Sequence, residues 1–374
     1  MARSSYEAQI REVLASQADA PAIDFDGELV SWRDVRAIIA ALEGLIDQAG
    51  VPEFARIGLI ARNRPAHYAA LWGAFVSGRC ASMIHAFQPV AALAQDLAAN
   101  RFPIVLGERR DWTEQTIAAA DAAGSVGYAY GQECEPPFVR VTVRGTPASD
   151  LLAPPDSDTV VELLSSGTTG KPKRIPLSRT AIDELIERTC FQFGSGGAGQ
   201  NAPQLLAWPL TSLGGTNGAL PAVALGQLLA IQEKFEPHGF LEQLRRYRPT
   251  FLSIPPAAMA MLLQLKPLRE DLSSIQLYFN GAAPLDPNVR TMMEEEYGMP
   301  VANAYGATEF AGIISSWVPE DFALLKEKRG SCGRALPGIQ QRIVAQETGE
   351  VLGPMQVGLV EALVPRVSDD WVRT

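Results

Sequence analysis

The sequence predicts an α/β protein with two parallel-sheet subdomains, about residues 1–155 and 156–325, followed by a small β subdomain over 326–374. Short apolar runs alternate with amphipathic stretches along most of the chain, and strands separated by crossover helices pair in parallel and are covered by helices. Beyond Gly330 the rhythm changes to short strands and turns.

In the first subdomain, residues 22–25, 56–60 and 102–106 are the expected strands, the last two preceded by helix-like stretches. Residues 123–158 are irregular and rich in Gly, Pro and Ser, which places a subdomain boundary there. The apolar run 160–164 opens the second subdomain as a buried strand. Ser178 or Thr180 then caps a helix whose apolar positions are Ile182, Leu185, Ile186, Cys190 and Phe193. Residues 194–200 (Gly-Ser-Gly-Gly-Ala-Gly-Gln) lack a cation and a leading strand, and read as a mobile surface loop instead of a phosphate binder. Residues 204–208 and 227–231 are short buried strands, each followed by helical segments, among them 240–247 with Leu241 and Leu244 on one face. Residues 251–254 form a strand closed by Pro255-Pro256. Ile275, Leu277 and Phe279 alternate along another, and 340–344 and 359–364 are the strands of the small β subdomain.

Composition narrows the function. A formal charge of −10 argues against a nucleic-acid or anionic-membrane surface. No run approaches the roughly 18 apolar residues of a membrane span, and residues 1–14 mix Arg, Glu and Gln without the apolar centre of a secretory signal. Cys80, Cys134, Cys190 and Cys332 show no metal or redox spacing, so they are expected to be buried small hydrophobes in a reducing cytoplasm. His67, His85 and His238 form no cluster with acidic neighbours, and packed or surface roles are expected in place of a zinc site.

The most informative stretch is 164–174, Leu-Ser-Ser-Gly-Thr-Thr-Gly-Lys-Pro-Lys-Arg. Within nine positions it places two glycines, four hydroxyls and two lysines directly after a strand. Glycines let backbone N–H groups approach an anion, hydroxyls donate, and ammonium groups neutralise charge, which is what a phosphate cradle needs. It is not a Walker A loop: two residues separate Gly167 from Gly170, and Pro172 follows Lys171 where a Mg²⁺-binding hydroxyl would stand. The alternative is a plain polar turn between strand and helix.

Four further blocks follow in one order: Asn280-Gly281-Ala282-Ala283-Pro284-Leu285, Asn303-Ala304-Tyr305-Gly306-Ala307-Thr308-Glu309, Gly-Ser-Cys-Gly-Arg-Ala-Leu-Pro-Gly over 330–338, and Asp370-Trp371-Val372-Arg373-Thr374. With the loop, they resemble the adenylate-forming superfamily of acyl- and aryl-CoA synthetases, luciferases and peptide-synthetase adenylation domains, over essentially the whole chain and more weakly before residue 150. The resemblance implies an αβαβα layered core and the activation of a carboxylic acid by ATP. Ser165, Ser166, Gly167, Thr168, Thr169, Gly170 and Lys173 would hold the β- and γ-phosphates. Gly281, Ala282 and Ala283 would line a wall of the adenine site, Tyr305 would cover the ring, and Asn303, with Ala304 and Gly306 beside it, would meet its edge. Thr308 would reach the α-phosphate and Glu309 would hold Mg²⁺, so Lys173, Thr308 and Glu309 are the expected catalytic residues. The alternatives are a core aromatic for Tyr305 and a surface charge for Glu309.

The acid pocket is implied by the same resemblance. In Pro209-Leu210-Thr211-Ser212-Leu213-Gly214-Gly215, Ser212 stands where the family has a His or aromatic gate. Leu213 stands where amino-acid-activating members carry an Asp, and an apolar residue cannot pair a buried ammonium. Gly214 stands where aryl-CoA ligases place an aromatic wall, and with Gly215, Gly218, Gly281, Tyr305 and Gly306 it implies a wide apolar pocket for a bulky or elongated acid. The glycines serve equally well for close helix–sheet packing. Arg174 also departs from the family, which usually has Gly there; it either adds a phosphate contact or alters the exit of the loop.

The family carries a C-terminal lid of roughly a hundred residues that supplies a lysine for adenylation, and this chain stops before it and before the Asp expected on the ribose. The expectation is therefore the large N-terminal part of a longer acyl-CoA synthetase using ATP, Mg²⁺ and coenzyme A, with a small carboxylic acid as partner and homodimerisation left open. An enzyme loading a carrier protein and a non-catalytic nucleotide-binding module are the alternatives.

Overall fold

The computed structural model describes residues 5–131, 137–165, 173–194, 203–367 and 370–373. The chain forms two compact units. The first comprises Met1–Gln204 and Pro209–Glu233, the second Leu205–Trp208 and Lys234–Thr374.

The first unit is built on a seven-stranded sheet in the order Phe138–Arg140, Val126–Tyr130, Ile104–Gly107, Arg56–Ala61, Cys80–His85, Thr159–Leu164, Arg174–Ser178. The five inner strands pair in parallel, and both edge strands are antiparallel to their neighbours. Helices Pro65–Val76, Val90–Asn100 and Glu114–Ala123 make the crossovers. Strands covered on both faces need apolar residues at successive positions, and Ile57, Leu59, Ile60, Ala81, Met83, Ile84, Ile104, Val105 and Leu106 are all buried. Helix Pro65–Val76 opens on a proline, is apolar on all sides, and is buried from His67 to Val76. Helix Trp32–Ala49 begins with a reciprocal Ser31–Asp34 capping box and ends at left-handed Gly50, burying Val35, Ile38, Ile39, Leu42 and Ile46 on one stripe. A smaller sheet pairs Pro21–Phe25 antiparallel with Glu28–Ser31 and parallel with Leu229–Ile231. Both turn residues of that hairpin, Asp26 and Gly27, have positive φ, as a two-residue Asp-Gly turn favours.

The second unit holds a parallel sheet of Phe251–Leu252, Leu277–Asn280 and Val301–Asn303. Two antiparallel sheets follow: Tyr305–Ala307 with Gly312–Ser316 and Arg334–Ala335, and Gln340–Val344 with Leu359–Leu363 and Trp371–Arg373. Phe310, Ile314, Leu336, Ile339, Ala362 and Val364 form one buried cluster between these antiparallel elements.

The α/β class with parallel sheets agrees with the sequence, but the boundaries do not. Val161 and Glu162 pair in parallel with Ala81 and Ser82, so the strand expected to open a second subdomain completes the first sheet. The segment after 326 shares its core with Phe310 and Ile314 and is not a separate body. Residues 123–158 contain the inner strand Val126–Tyr130 and the edge strand Phe138–Arg140. The inner strand escapes a periodicity search because it carries Gly127, against which Trp112 packs; a Cβ there would lie 2.4 Å from the indole. Ser178 caps the helix Arg179–Gly194, accepting from the Ala181 amide at 3.2 Å. Ile182, Leu185 and Ile186 are buried as expected, whereas the side chains of Cys190 and Phe193, residues 195–200 and Cys134 lie outside the described set. Cys80 is buried, and burial pushes its thiol upward. No described helix is long and apolar enough to cross a membrane.

A buried polar network joins the loops after two inner strands, Arg56–Ala61 and Ile104–Gly107. The Arg62 guanidinium donates to both Asp111 carboxylate oxygens at 2.7 and 2.6 Å. Its backbone N–H donates to His67 Nδ1 at 3.0 Å, and His67 Nε2 faces Glu108 at 3.4 Å. Burial lowers the His67 pKa, which keeps the ring neutral with Nδ1 as acceptor. Burial alone would raise Glu108, but hydrogen bonds from His67 and Arg110 and the charge of Arg62 outweigh it and hold the carboxyl at about 2. A depressed folded pKa contributes stability above the ordinary value of 4.5 that is lost as pH falls from there toward 2. Glu108→Gln is therefore expected to lower the melting temperature at pH 7, at a cost of roughly 1–3 kcal/mol, and to flatten the loss of stability between pH 4.5 and 2. Thermal melts across that pH range check both effects.

Candidate active site

In the first unit the two described ends of the phosphate-loop segment lie on an edge hairpin. Leu163 pairs with Ile175 and Leu164 with Arg174, and the Ser165 amide donates to the Lys173 carbonyl at 2.8 Å. The two ends of the loop are thus held side by side. Ser165 is buried and Lys173 is exposed. Ser166, Gly167, Thr168, Thr169 and Gly170 lie outside the described residues. Arg174 turns its guanidinium into its own unit, onto Asp96, Ser82 and Glu162.

Residues 213–224 form the helix Leu213–Ala224, and Ser212, expected at the gate position, is its N-cap. The Ser212 hydroxyl accepts from the Gly215 amide at 3.1 Å and donates to the Pro209 carbonyl at 2.7 Å. Gly215 is buried, and a Cβ there would lie 2.1 Å from the Pro209 carbonyl oxygen. For this glycine the packing role holds, because the obstruction is backbone. Leu213, Gly214, Asn217 and Gly218 share the opposite, half-buried face, Gly214 and Gly218 one turn apart. Asn217 was not among the expected site residues, yet its Oδ1 is buried without a hydrogen-bond partner among the described residues. The available signal was one amide inside an otherwise small, apolar helix.

In the second unit, the parallel strands end at Asn280 and Asn303, which stand opposite each other in register. Asn280 Nδ2 donates to Asn303 Oδ1 at 3.1 Å and to the Ala283 carbonyl at 3.3 Å, while the Asn280 carbonyl accepts from the Ala304 amide at 2.7 Å. Gly281, Ala282 and Ala283 form a tight turn closed by the Ala283 amide on the Gly281 carbonyl at 2.8 Å, with Ala282 at φ 65°. A side chain at Gly281 would meet nothing within 4 Å, so this turn presents bare backbone to open space.

The next residues are firmly placed. Tyr305 is half-buried, its ring edge-on to Phe310 at 6.5 Å. Gly306 sits against the next strand, where a Cβ would lie 2.4 Å from the Gly312 carbonyl oxygen. Thr308 and Glu309 occupy a single 3₁₀ turn, Thr308–Phe310, that ends at left-handed Ala311. The buried Phe310 anchors it. The Thr308 hydroxyl and the Glu309 carboxylate are half-exposed and make no hydrogen bond or ion pair with another described residue. Glu309 is therefore not a paired surface charge. No group of three or more His, Cys, Asp or Glu that could hold a metal occurs among the described residues.

The profile of the AMP-binding enzyme family matches residues 10–361. The chain belongs to the AMP-binding enzyme family. Within it, the probable CoA ligase CCL5 of Humulus lupulus is 28% identical over 279 residues, covering 72% of this chain and 47% of the ligase. ATP-bound MatB from Rhodopseudomonas palustris superposes with a TM-score of 0.78 at 18% identity, covering 99% of this chain and 72% of MatB. O-succinylbenzoate coenzyme A synthetase from Bacillus subtilis, in complex with ATP and magnesium, gives 0.75 at 18%, covering 97% and 72%. The chain spans about half the length of the first of these curated relatives. At these identities the structural likeness establishes the fold alone.

The Ser212 geometry makes a cap and a gate experimentally separable. Ser212→Ala is expected to lower stability by about 1 kcal/mol, the usual weight of an N-cap, and to leave the ranking of acid substrates unchanged. Urea denaturation and a substrate panel on the same variant check this.

Proposed function

We propose that this member of the AMP-binding family activates a bulky or elongated, largely apolar carboxylic acid with ATP and passes it to coenzyme A. The observation that carries the proposal is the pair Thr308 and Glu309. Both are held on a turn anchored by Phe310, yet neither functional group pairs with another described residue. A hydroxyl and a carboxylate kept in place without an internal partner suit an external one.

Adenylation brings two anions together. The acid's carboxylate oxygen attacks the α-phosphorus of ATP; the P–O bond to the β-phosphate breaks, giving an acyl-adenylate and pyrophosphate. The thiol of coenzyme A then attacks the acyl carbonyl and AMP leaves. The protein must supply positive charge and donors where negative charge gathers. Lys173, exposed beside the hairpin closure, is suited to the β- and γ-phosphates, and Thr308 to the α-phosphate. Asn303, held by Asn280, is suited to the adenine edge, the bare backbone at Gly281 to close approach of the ring, and Tyr305 to its face. The donor set fits magnesium: Mg²⁺ binds through one or two carboxylates, water and substrate phosphates, and not through a protein cage, which agrees with one unpaired carboxylate at Glu309. The ion would screen the phosphates against the incoming carboxylate.

The acid is expected against the Leu213, Gly214, Asn217 and Gly218 face. Leu213 offers no charge for a substrate ammonium, and the two glycines leave room for bulk. The unpartnered Asn217 Oδ1 suits a hydroxyl or similar donor on an otherwise apolar acid.

Pyrophosphate release with a panel of carboxylic acids, and thioester formation with coenzyme A against a carrier protein, test the reaction and its acceptor. Lys173→Ala is expected to slow adenylate formation at least about tenfold, since a charge-assisted phosphate contact is worth roughly 1.5–3 kcal/mol. Glu309→Gln is expected to weaken the Mg²⁺ dependence with the melting temperature retained. Wild-type rates in both variants would remove the assignment. Gly214→Tyr is expected to shift the ratio of kcat/KM from bulky toward small acids with ATP dependence unchanged; an unchanged ratio with a lowered melting temperature would make Gly214 a packing residue like Gly215.

A further inference from the structure

We propose that Arg174 is a positioning residue for Lys173, fastening the strand that starts beside it to the first sheet through a partly buried, charge-balanced network with Asp96, Glu162, Ser82 and Arg56. The inference rests on the proposed phosphate-binding role of Lys173.

The stem needs a fastening. Strand Arg174–Ser178 is an edge strand with one neighbour, Thr159–Leu164. Two residues past Arg174 stands Pro176, opposite Glu162. The Ser165 amide bonds to the Lys173 carbonyl, so in the alternating ladder Pro176 falls at a position whose N–H would point away from Thr159–Leu164, and the proline costs no ladder bond. Backbone pairing thus holds this strand from one side only, with Ser165 as the backbone partner of Lys173.

Arg174 adds a second hold through its side chain. Its Nη2 donates to both Asp96 carboxylate oxygens at 2.8 Å. Its Nη1 reaches the Ser82 hydroxyl at 2.9 Å, the Met83 carbonyl at 3.2 Å and Glu162 at 3.4 Å. Glu162 in turn accepts from the Ser82 hydroxyl and lies 3.7 Å from Arg56. The Phe102 ring has Arg174 at 5.4 Å and Arg56 at 5.3 Å. Two guanidinium groups thus meet two carboxylates, and the Arg174 side chain is only 14% exposed. One residue past the loop is tied to strand Cys80–His85, to strand Thr159–Leu164 and to helix Val90–Asn100.

Stability alone does not account for such a network. Buried ion pairs are often no better than apolar residues of the same volume, because desolvation offsets the attraction. What they add is direction: a planar guanidinium with several fixed acceptors permits few positions for its own backbone. The backbone so fixed is that of Arg174, whose preceding residue is Lys173.

The test is titration calorimetry of the 374-residue chain with ATP and, separately, with adenosine, which lacks the phosphates. Wild type, Arg174→Met, Asp96→Asn and Lys173→Ala are compared. Arg174→Met is expected to weaken ATP at least about fivefold, on the order of one charge-assisted contact, and to leave adenosine within about twofold. Asp96→Asn is expected to act in the same direction with a smaller effect, and it decides the matter if Arg174→Met does not fold. Unchanged ATP affinity in these variants, or equal weakening of ATP and adenosine, overturns the proposal. If wild type binds ATP no more tightly than adenosine, or Lys173→Ala binds ATP like wild type, the phosphate-loop role falls first and this inference with it.

Discussion

The phosphate role proposed for Lys173 depends on one constraint, the fixing of the two described ends of segment 165–173. Here that constraint falls on the junction of strands Cys80–His85, Thr159–Leu164 and Arg174–Ser178. Parallel pairing of Ala81 and Ser82 with Val161 and Glu162 brings the loop-bearing hairpin into the first sheet. The Ser165–Lys173 backbone bond then closes the loop's base. The crossover helix Val90–Asn100 carries Asp96 to Arg174, and Phe102 spreads its ring beside two guanidinium groups.

The second unit solves a related problem by different means. Its strands place Asn280 and Asn303 side by side, and one amide orients the other. The following turns are held by close backbone contact at Gly306 and by the buried Phe310, which leaves Thr308 and Glu309 presented without a partner among the described residues. Both units therefore combine rigid support with polar groups that no other described residue engages. This is the arrangement expected where binding must not require reorganisation.

Much of this was legible without coordinates. The loop at 164–174, the turn at 280–285 and the Tyr-Gly-x-Thr-Glu block carry their chemistry in residue type and spacing, because phosphate and adenine recognition need particular groups within a few positions of chain. Helix signals were equally local, as Ser178 illustrates. The boundaries were not legible. Residues 123–158 look irregular because Gly127 and its neighbours break the alternation, yet Val126–Tyr130 is an inner strand. Its place depends on Trp112, which packs against the missing Cβ.

The sequence by itself determined the fold class and the family, and it supplied the residue types proposed for phosphate, adenine and metal, since each follows from local pattern. Only the tertiary structure decided which of them the protein keeps for itself. Ser212 became a helix cap, Gly215 a packing contact and Arg174 an internal tether, while Thr308, Glu309 and the Asn217 amide oxygen have no partner among the described residues. The reason is physical: whether a polar group is free depends on partners distant in the chain, Asp96 for Arg174 being 78 residues away, and no short window of sequence contains them.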